Sequence, residues 1–364
     1  MREGWKYKKL GDICESDLGK TLNQSKDDGE MCPYLCAINV QWDKIDLSTL
    51  KTARFTDIEQ EKYSVRKGDL LICEGGDIGR AAIWDRNTPF QYQNALHRVR
   101  FNGPAYYSRF YLLYLLFLKN KGILDTRYGK GVTIQHLVKS SLLSIYVPVP
   151  PLPEQERIVA EFDLLTGIID KQKAQMGELD TLAQSIFYDM FGDPIENEKG
   201  WKTKEVIDIV KMQRGYDLPV QNRQSSGNIP IYGSNGMIGY HNIAMAQYGV
   251  ITGRSGTLGK VYSSTIPFFP LNTTLFSVDT HGNNVIFLKY LLENYDLARF
   301  GTGTGVPTLN RNEFHNKHSI DIPFNLQESF AQKIQSIESQ KESINRSIAE
   351  TQKLFDYTMD KYFG

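Results

Sequence analysis

The residues best suited to chemistry lie in stretches that mix small residues with planar, hydrogen-bonding side chains. These stretches are QYQNALHRVR (91–100), QNRQSSGN (221–228), YGSNGMIGYHN (232–242) and TGRSGTLGK (252–260). Gln and Asn can pair with adenine edges, Arg and Lys with guanine edges, and backbone amides and Lys with phosphates. For any single stretch an ordinary polar turn is the better explanation. Their recurrence in both halves of the chain favours DNA binding.

Basic and polar residues of these stretches, and of similar loops nearby, are the candidate DNA contacts. Arg80 and Lys260 follow matching glycine turns, and Arg254 lies just before the second turn. A structural turn with a solvated charge explains such residues equally well. The predicted DNA-binding residues are Lys20, Arg80, Gln91, Gln93, Asn94, Arg98, Lys130, Thr133, Arg214, Asn235, Tyr240, Arg254, Ser255, Thr257, Lys260, Thr302 and Thr304.

Catalytic, cofactor and metal motifs are not apparent in the sequence. FGTGTG (300–305) departs from the G-x-G-x-x-G dinucleotide motif, and NTPF (87–90) has Thr where an adenine methyltransferase motif has Pro. Cys32 and Cys36 are spaced loosely like metal ligands, but no second Cys pair or matching His pair accompanies them. We therefore expect a non-catalytic chain with no cofactor or metal of its own.

Charge is balanced over the whole chain but unevenly distributed along it. The 42 basic and 42 acidic residues give a net charge of zero, which taken alone argues against nucleic acid as a ligand. Residues 1–153 nevertheless have five more basic than acidic residues, and residues 154–192 have five fewer. A neutral total can therefore hide an electropositive face. An accidental imbalance of a few charges is the plainer explanation.

Secretion and membrane insertion are not indicated. The N-terminal MREGWKYKKL has no apolar core, so no secretory signal is visible. The apolar run FYLLYLLFL (110–118) is too short to span a bilayer and predicts a buried helix. The four cysteines are best explained as reduced, partly buried thiols. We expect a cytoplasmic protein.

An internal repeat organises the elements that would position these loops. FYDMFG (187–192) and MDKYFG (359–364) end in Phe-Gly pairs 172 positions apart. Apolar residues precede each pair at alternating steps of four and three, which predicts two long helices that pair as a coiled coil. The predicted seam residues are Ile158, Phe162, Leu165, Ile169, Met176, Leu179, Ile186, Phe330, Ile334, Ile337, Ile344, Ile348 and Phe355.

The repeat extends to the front of each half. GWKYKKLGDI (4–13) matches GWKTKEVIDI (200–209), and GDLLICEGGDIGRAAIW (68–84) parallels YGVITGRSGTLGKVYSS (248–264). We therefore predict an α+β fold of two pseudo-repeated globular domains, residues 1–152 and 193–325, separated by two long antiparallel helices. The helices are predicted at residues 153–192 and 326–364.

Motifs in this order resemble the specificity subunit of a type I restriction–modification system. They are PPLPEQERI (150–158), FYDMFGDP (187–194), KGDLLICEGGDIGRAAIW (67–84), YQNALHRVRF (92–101) and YGVITGRSGTLGKVY (248–262). The resemblance implies one target recognition domain and one conserved spacer helix in each half. Each domain would read one half of a bipartite, asymmetric site in double-stranded DNA.

The resemblance also implies partners. The chain would bind two modification subunits, which methylate adenine with S-adenosylmethionine, and ATP-dependent restriction subunits. S-adenosylmethionine, ATP and Mg would then be held by those partners. The second helix starts with PFNLQES instead of the fuller Pro-Pro-Leu-x-Glu-Gln, so its surface for the modification subunits can differ. Two alternatives remain open: an interaction protein with two modules on a coiled coil, and the targeting subunit of a related cut-and-modify system.

Overall fold

The computed structural model describes residues 4–23, 28–131, 135–303 and 305–364. The chain divides into two compact units. Unit 1 comprises Met1–Lys171 and Ile348–Gly364, and unit 2 comprises Gln172–Ser347. The domain boundaries predicted from the sequence stay a prediction, because the two compact units share both long helices.

Unit 1 combines short strands with helices. Its strands are β1 (Lys6–Lys9), β2 (Cys14–Leu18), β3 (Glu30–Leu35), β4 (Val40–Gln41), β5 (Lys44–Ile45), β6 (Lys51–Phe55), β7 (Ser64–Val65), β8 (Leu70–Cys73), β9 (Ala81–Ile83), β10 (Phe90–Tyr92), β11 (Leu96–Phe101) and β12 (Tyr146–Val149). Its helices are α1 (Asp57–Lys62), α2 (Ser108–Asn120), α3 (Lys139–Leu143), the first half of α4 (Leu152–Phe191) and, at residues 348–363, the last part of the second long helix.

Two four-stranded sheets form the body of unit 1, in the orders β2-β11-β8-β9 and β6-β3-β10-β7. Strand β8 explains how they share a core, because all four of its residues are buried. Leu70 and Ile72 pack into the cluster that holds α2, whereas Leu71 and Cys73 pack into a second cluster with Trp84. Successive side chains of a strand point to opposite faces, so this continuous apolar run is covered on both sides.

Unit 2 is built in the same way. Its strands are β13 (Thr203–Glu205), β14 (Lys211–Arg214), β15 (Ile229–Gly233), β16 (Gly236–His241), β17 (Gly249–Gly253), β18 (Val261–Ser264), β19 (Phe269–Pro270), β20 (Thr274–Asp279), β21 (Gly301–Thr302), β22 (Thr308–Leu309) and β23 (His318–Ile320). Its helices are α5 (Val206–Ile209), α6 (Val285–Asn294), α7 (Arg311–His315), the second half of α4 and most of α8 (Phe324–Phe363).

The topology of the two units repeats over the first four-stranded sheet and over several strand pairs. Sheet β14-β20-β17-β18 has the order of β2-β11-β8-β9. The parallel pair β15–β19 corresponds to β3–β10, and the antiparallel pair β13–β23 to β1–β12. The predicted α+β fold with a pseudo-repeat is therefore confirmed.

The long helices α4 and α8 have 40 residues each and pair antiparallel within each unit. In unit 1 the ring of Phe162, early in α4, lies 5.1 Å from that of Phe355, late in α8. In unit 2 the ring of Phe187, late in α4, lies 5.7 Å from that of Phe330, early in α8. Each helix starts just after a proline, which suits the first turn because its missing N–H needs no partner there.

Most of the predicted seam residues are buried, but one step of the predicted register is displaced. Ile186 is only half-buried, whereas its neighbour Phe187 is fully buried. Phe187 packs against Phe330 and also against Phe287 of α6, so the large ring takes the core position. The remaining predicted positions are buried (Ile158, Phe162, Leu165, Ile169, Leu179, Phe330, Ile334, Ile337, Phe355) or half-buried (Met176, Ile344, Ile348).

The apolar run at residues 110–118 forms part of α2 and lies in the core of unit 1, as predicted. Within the described residues, no helix has the length and apolar character needed to cross a membrane. The cysteines are unpaired; Cys14, Cys36 and Cys73 are buried, and Cys32 is half-buried.

Candidate nucleic-acid interface

In unit 1, loops that are far apart in the sequence are joined at one end of the sheet by main-chain hydrogen bonds. The N–H of Asn94 donates to the carbonyl of Lys20 at 3.1 Å, and the N–H of Glu74 donates to that of Ala95 at 3.0 Å. The N–H of Leu137 donates to the carbonyl of Glu74 at 2.7 Å. We call the residues 19–23, 74–80, 93–95, 129–131 and 135–137 the loop cluster of unit 1.

Unit 2 repeats this arrangement bond for bond. The N–H of Asn272 donates to the carbonyl of Tyr216 at 2.8 Å, and that of Arg254 to Thr273 at 2.8 Å. The N–H of Leu309 donates to the carbonyl of Arg254 at 2.7 Å. Residues 215–219, 254–260, 271–273, 302–303 and 305–309 form the loop cluster of unit 2. Both units therefore present the same backbone framework.

The glycine turn in each cluster depends on left-handed backbone. Gly76 and Gly79 have φ values of 74° and 80°, and the equivalent Gly256 and Gly259 have 89° and 84°. Side chains with a Cβ rarely adopt this region, which explains why both halves keep glycine here. Each turn connects two strands, β8 and β9 or β17 and β18, and has Glu74 and Arg80, or Arg254 and Lys260, at its two ends.

Five of the predicted contacts in unit 1 lie in its loop cluster: Lys20, which is described below, Arg80, Gln93, Asn94 and Lys130. Lys130 is exposed, and Gln93 is half-buried. Arg80 donates through Nη2 to the carbonyl of Ala37 at 2.7 Å, and Asn94 donates through Nδ2 to Thr21 at 3.2 Å. Their contact with DNA stays a prediction.

Gln91 and Thr133 fall elsewhere. Gln91 lies on β10, half-buried, with its Nε2 3.5 Å from the carbonyl of Gln60. Thr133 lies outside the described residues.

Lys20 and Arg98 have structural partners inside unit 1. Lys20 is 4% exposed, and its ammonium donates to Glu59 at 2.8 Å and to the carbonyl of Arg54 at 2.7 Å. Arg98 is 9% exposed and donates to Asp17 at 3.0 Å and to the carbonyl of Ser64 at 2.9 Å. Both cations are engaged inside unit 1 in this structure, and their contact with DNA stays a prediction.

In unit 2 the predicted residues of the glycine turn stay together. Arg254, Ser255 and Thr257 are half-buried, and Lys260 is exposed. Ser255 forms an antiparallel bridge with Thr308, which brings the last loop of the unit beside the turn.

The other predicted residues of unit 2 surround this turn or lie apart from it. Arg214 ends β14, Asn235 is exposed in the turn between β15 and β16, and Thr302 is exposed on β21. Tyr240 is half-buried on β16, where its main chain pairs with that of Gln224. Thr304 lies outside the described residues.

Residues that the sequence analysis missed complete a cationic cleft of about 330 Å³ in unit 2. Arg214 and Arg254 line it, and so does Arg311, together with Asn310 and Asn312. Of the described residues that line the cleft, none is acidic. The signal was present in the run LNRN (309–312), which has the planar hydrogen-bonding composition used to select the other loops. Guanidinium and amide groups together suit the hydrogen-bonding edges of bases as well as phosphates.

The sequence analysis also missed a pair of glutamines, each of which connects the start of a long helix to the rest of its unit. Gln155 and Gln327 are buried at equivalent places in α4 and α8. Each donates to the carbonyl five residues earlier, Pro150 or Ile322, at 2.8 Å. The start of α8, which departs from the fuller motif of α4, thus keeps its glutamine.

Comparisons with known proteins agree with this architecture. Residues 2–178 match the family model described as Type I restriction modification DNA specificity domain. The type I restriction enzyme MjaIX specificity subunit of Methanocaldococcus jannaschii is 25% identical over 235 residues, which cover 59% of this chain and 54% of that protein. The chain thus spans about half the length of the curated relatives it matches.

Solved structures share the fold over the whole chain. The S subunit of a type I restriction–modification system from M. genitalium aligns with a TM-score of 0.57 at 16% identity, covering 99% of this chain and 96% of that one. A second solved structure concerns the complex assembly and conformational transition of the type I R-M system. One chain of it aligns with a TM-score of 0.63 at 16% identity. That alignment covers 100% of this chain and 98% of the other.

Proposed function

We propose that this chain, which matches the type I restriction–modification DNA specificity domain over residues 2–178, is the non-catalytic DNA-recognition subunit of such a complex. Each unit reads one half of a bipartite, asymmetric site in double-stranded DNA. By holding both half-sites, the chain directs adenine methylation or restriction by its partner subunits.

The duplicated loop cluster is the observation that supports this proposal. The same main-chain hydrogen bonds recur in both units, while the side chains they carry differ. A repeated framework suits paired half-sites, because proteins with duplicated DNA-binding elements place one element on each half-site. Different side chains on that framework suit two different half-sites, because base edges are read by side-chain hydrogen bonds.

The partners follow from the family. We propose that the complex contains two modification subunits and ATP-dependent restriction subunits, and that it works in the cytoplasm. S-adenosylmethionine, ATP and Mg would be bound by those partners. Unit 1 offers them α4 residues whose apolar side chains are exposed, such as Leu164 and Ile168.

Mapping of methylated adenines tests the proposal. The full chain would be expressed with its modification subunits in a host that lacks other adenine methylation. We expect one bipartite motif with a methylated adenine in each half, and no such motif when the chain is left out. Methylation that does not depend on the chain, or a single undivided motif, would contradict the proposal.

A gel shift with the purified complex separates DNA recognition from an interaction role. We expect binding to a duplex that contains the motif, weakening as salt rises because released counterions contribute to affinity. Absence of any preference for the motif over a scrambled duplex would favour the alternative of a two-module interaction protein.

A further inference from the structure

Glu74 and Arg254 occupy the same place in the two units. Glu74 directly follows β8, and Arg254 directly follows β17. Both strands are fully buried, and a glycine turn comes after each of the two residues. In each, the main-chain N–H donates to a carbonyl of the neighbouring loop, Ala95 or Thr273, at 3.0 or 2.8 Å. In each, the main-chain carbonyl accepts an N–H at 2.7 Å. At both positions the main-chain N–H and carbonyl are already hydrogen-bonded. A ligand would therefore meet a difference between the two positions only in the side chain.

Arg254 lies among other cations with few acceptors. It lines the cationic cleft with Arg214 and Arg311. The one hydrogen bond that its side chain makes to a described residue runs from Nη1 to the carbonyl of Asn272, at a long 3.4 Å. Most of its five donors are therefore available to a ligand that offers acceptors. Arg214 forms an ion pair with Asp217, which does not line the cleft, and this contact is also long at 3.8 Å.

In unit 1 the position equivalent to Arg254 has an acidic side chain, and the positions equivalent to Arg214 and Arg311 offer no unpaired cation. The counterpart of Arg214 at the end of the first sheet strand is Leu18, and the counterpart of Arg311 at the start of the short helix is Lys139. Lys139 is paired with Asp17 at 3.2 Å. The half-buried Glu74 forms no side-chain hydrogen bond or ion pair with the described residues. Its carboxylate is thus an acceptor without a donor from the described part of unit 1.

A carboxylate on a surface that faces DNA restricts what it can contact. Phosphates carry the same charge and repel it, so a phosphate contact is excluded for Glu74. Base edges do offer donors, and the exocyclic amino group of cytosine is the usual partner of Glu or Asp. Guanidinium has the reverse preference, because its fork matches the O6 and N7 acceptors of guanine.

We infer that Glu74 and Arg254 are equivalent specificity-determining residues of opposite polarity. Arg254 reads a guanine in the half-site of unit 2, and Glu74 reads a cytosine in the half-site of unit 1. This inference rests on the proposed function, and it adds which residue makes the half-sites differ.

The test is the methylation motif of single variants of the full chain, expressed with the modification subunits. Arg254→Gln is expected to reduce the preference for guanine at one position of one half-site by roughly 5- to 150-fold, the discrimination that one bidentate contact supplies. Glu74→Gln is expected to relax one cytosine position in the other half-site to a similar extent. In each variant, the half-site read by the unchanged unit stays as in wild type.

A conservative variant keeps the inference testable if Arg254→Gln assembles poorly. Arg254→Lys retains the charge but loses the guanidinium fork. Because lysine can still donate to guanine but not through a fork, we expect the guanine preference to fall to a value between those of wild type and Arg254→Gln. If either Arg254 variant weakens methylation equally at every sequence, with the motif unchanged, Arg254 is a phosphate contact and the inference fails.

The wild-type result separates this inference from the proposed function. A wild-type chain that yields no bipartite motif contradicts the proposed function itself. A wild-type chain with a bipartite motif, whose Glu74 and Arg254 variants keep every base preference, contradicts only the inference.

Discussion

The side-chain oxygen of Gln155 accepts a hydrogen bond from the main-chain N–H of Tyr107 at 2.9 Å. Tyr107 is the residue just before α2, and Gln155 lies fully buried in the first turn of α4. The same amide donates to the carbonyls of Ala105 at 3.0 Å and Pro150 at 2.8 Å. In unit 2, Gln327 accepts the N–H at the start of α6 at 2.9 Å in the same way. In each unit, the buried side-chain amide of one glutamine thus holds the start of a long helix against the start of a shorter helix.

Gln155→Ala is expected to lower the free energy of unfolding by about 2–4 kcal/mol. The substitution leaves the N–H of Tyr107 and the carbonyls of Ala105 and Pro150 without this partner, and the bond to Pro150 is buried whereas the other two are partly buried. Each such group costs about 1–3 kcal/mol where it stays buried, and less where water reaches it. Urea unfolding of the purified chain measures it. Gln175→Ala, an exposed position of the same helix, is the control and is expected to change little. An equal effect of the two substitutions would contradict the anchoring role.

The long helices and the repeat could be predicted from the sequence because periodicity acts over many residues. More than four turns of apolar spacing identify a helix and its buried face regardless of tertiary detail. The displacement at Ile186 could not be predicted in this way. There the choice between neighbouring apolar side chains depends on Phe287, a residue of another helix.

The candidate interface was less predictable, because residue type does not reveal whether a charge is paired. Lys20 and Arg98 were predicted to contact DNA. In the structure each forms an ion pair with a carboxylate that is distant in the sequence, Glu59 for Lys20 and Asp17 for Arg98. Arg311 joins Arg254 only through the fold of unit 2. The buried Gln155 was missed because a polar residue in a charged helical turn normally faces solvent.

Gln172→Leu is expected to stabilise the paired helices by about 1 kcal/mol. Gln172 interrupts the apolar seam, and although its Nε2 donates to Ser347 at 2.6 Å, its Oε1 is buried without a hydrogen-bond partner in the described structure. Removing an unsatisfied buried carbonyl recovers its desolvation cost, and leucine restores the seam. Thermal unfolding measures the change, with the exposed Gln175→Leu as control. A lower melting temperature for Gln172→Leu alone would show that the polar pair stabilises the helices.

Glu293→Gln is expected to stabilise the chain near pH 7.5 and to have a smaller effect as the pH falls. Burial raises the pKa of Glu293 above its usual value, although Lys289 and the N–H of Val261 partly oppose this. A folded pKa above the unfolded one means that the protonated carboxyl favours folding, and that this contribution is lost as pH rises through the folded pKa. Glutamine keeps the shape without the charge.

Melting temperatures of wild type and Glu293→Gln across the acid range measure this difference. Glu342→Gln, an exposed carboxylate of the same unit, is the matched control. A Glu293→Gln difference that does not shrink toward acid pH would show that its origin is not the ionised carboxylate.

Lys260→Ala is expected to weaken DNA binding across all sequences without changing the motif. Lys260 is exposed beside the glycine turn of unit 2 and, as a compact point charge, suits a phosphate. Losing one phosphate contact lowers the slope of log affinity against log salt by about one. Titrations at several salt concentrations measure the slope, with Lys333→Ala on α8 as an exposed control. An unchanged slope and affinity for Lys260→Ala would remove it from the interface.

Lengthening both long helices by one heptad is expected to lengthen the gap between the half-sites. Gln172 and Ser347 face each other across the helix pair. Seven residues inserted after Gln172 and seven before Ser347 therefore lie at matched antiparallel positions and keep the apolar seam in phase. The insertion adds roughly 10 Å of helix at ~1.5 Å per residue, close to three base pairs of duplex. If the helices set the distance between the units, both half-sites remain and the spacer grows by about that amount.

Mapping methylated adenines with the reassembled complex gives the spacer length directly. An insertion in α4 alone, which breaks the pairing of the helices, serves as the control. A doubly lengthened chain that folds and methylates with the wild-type spacer would mean that the distance is set outside the helices, by the DNA or by the partner subunits.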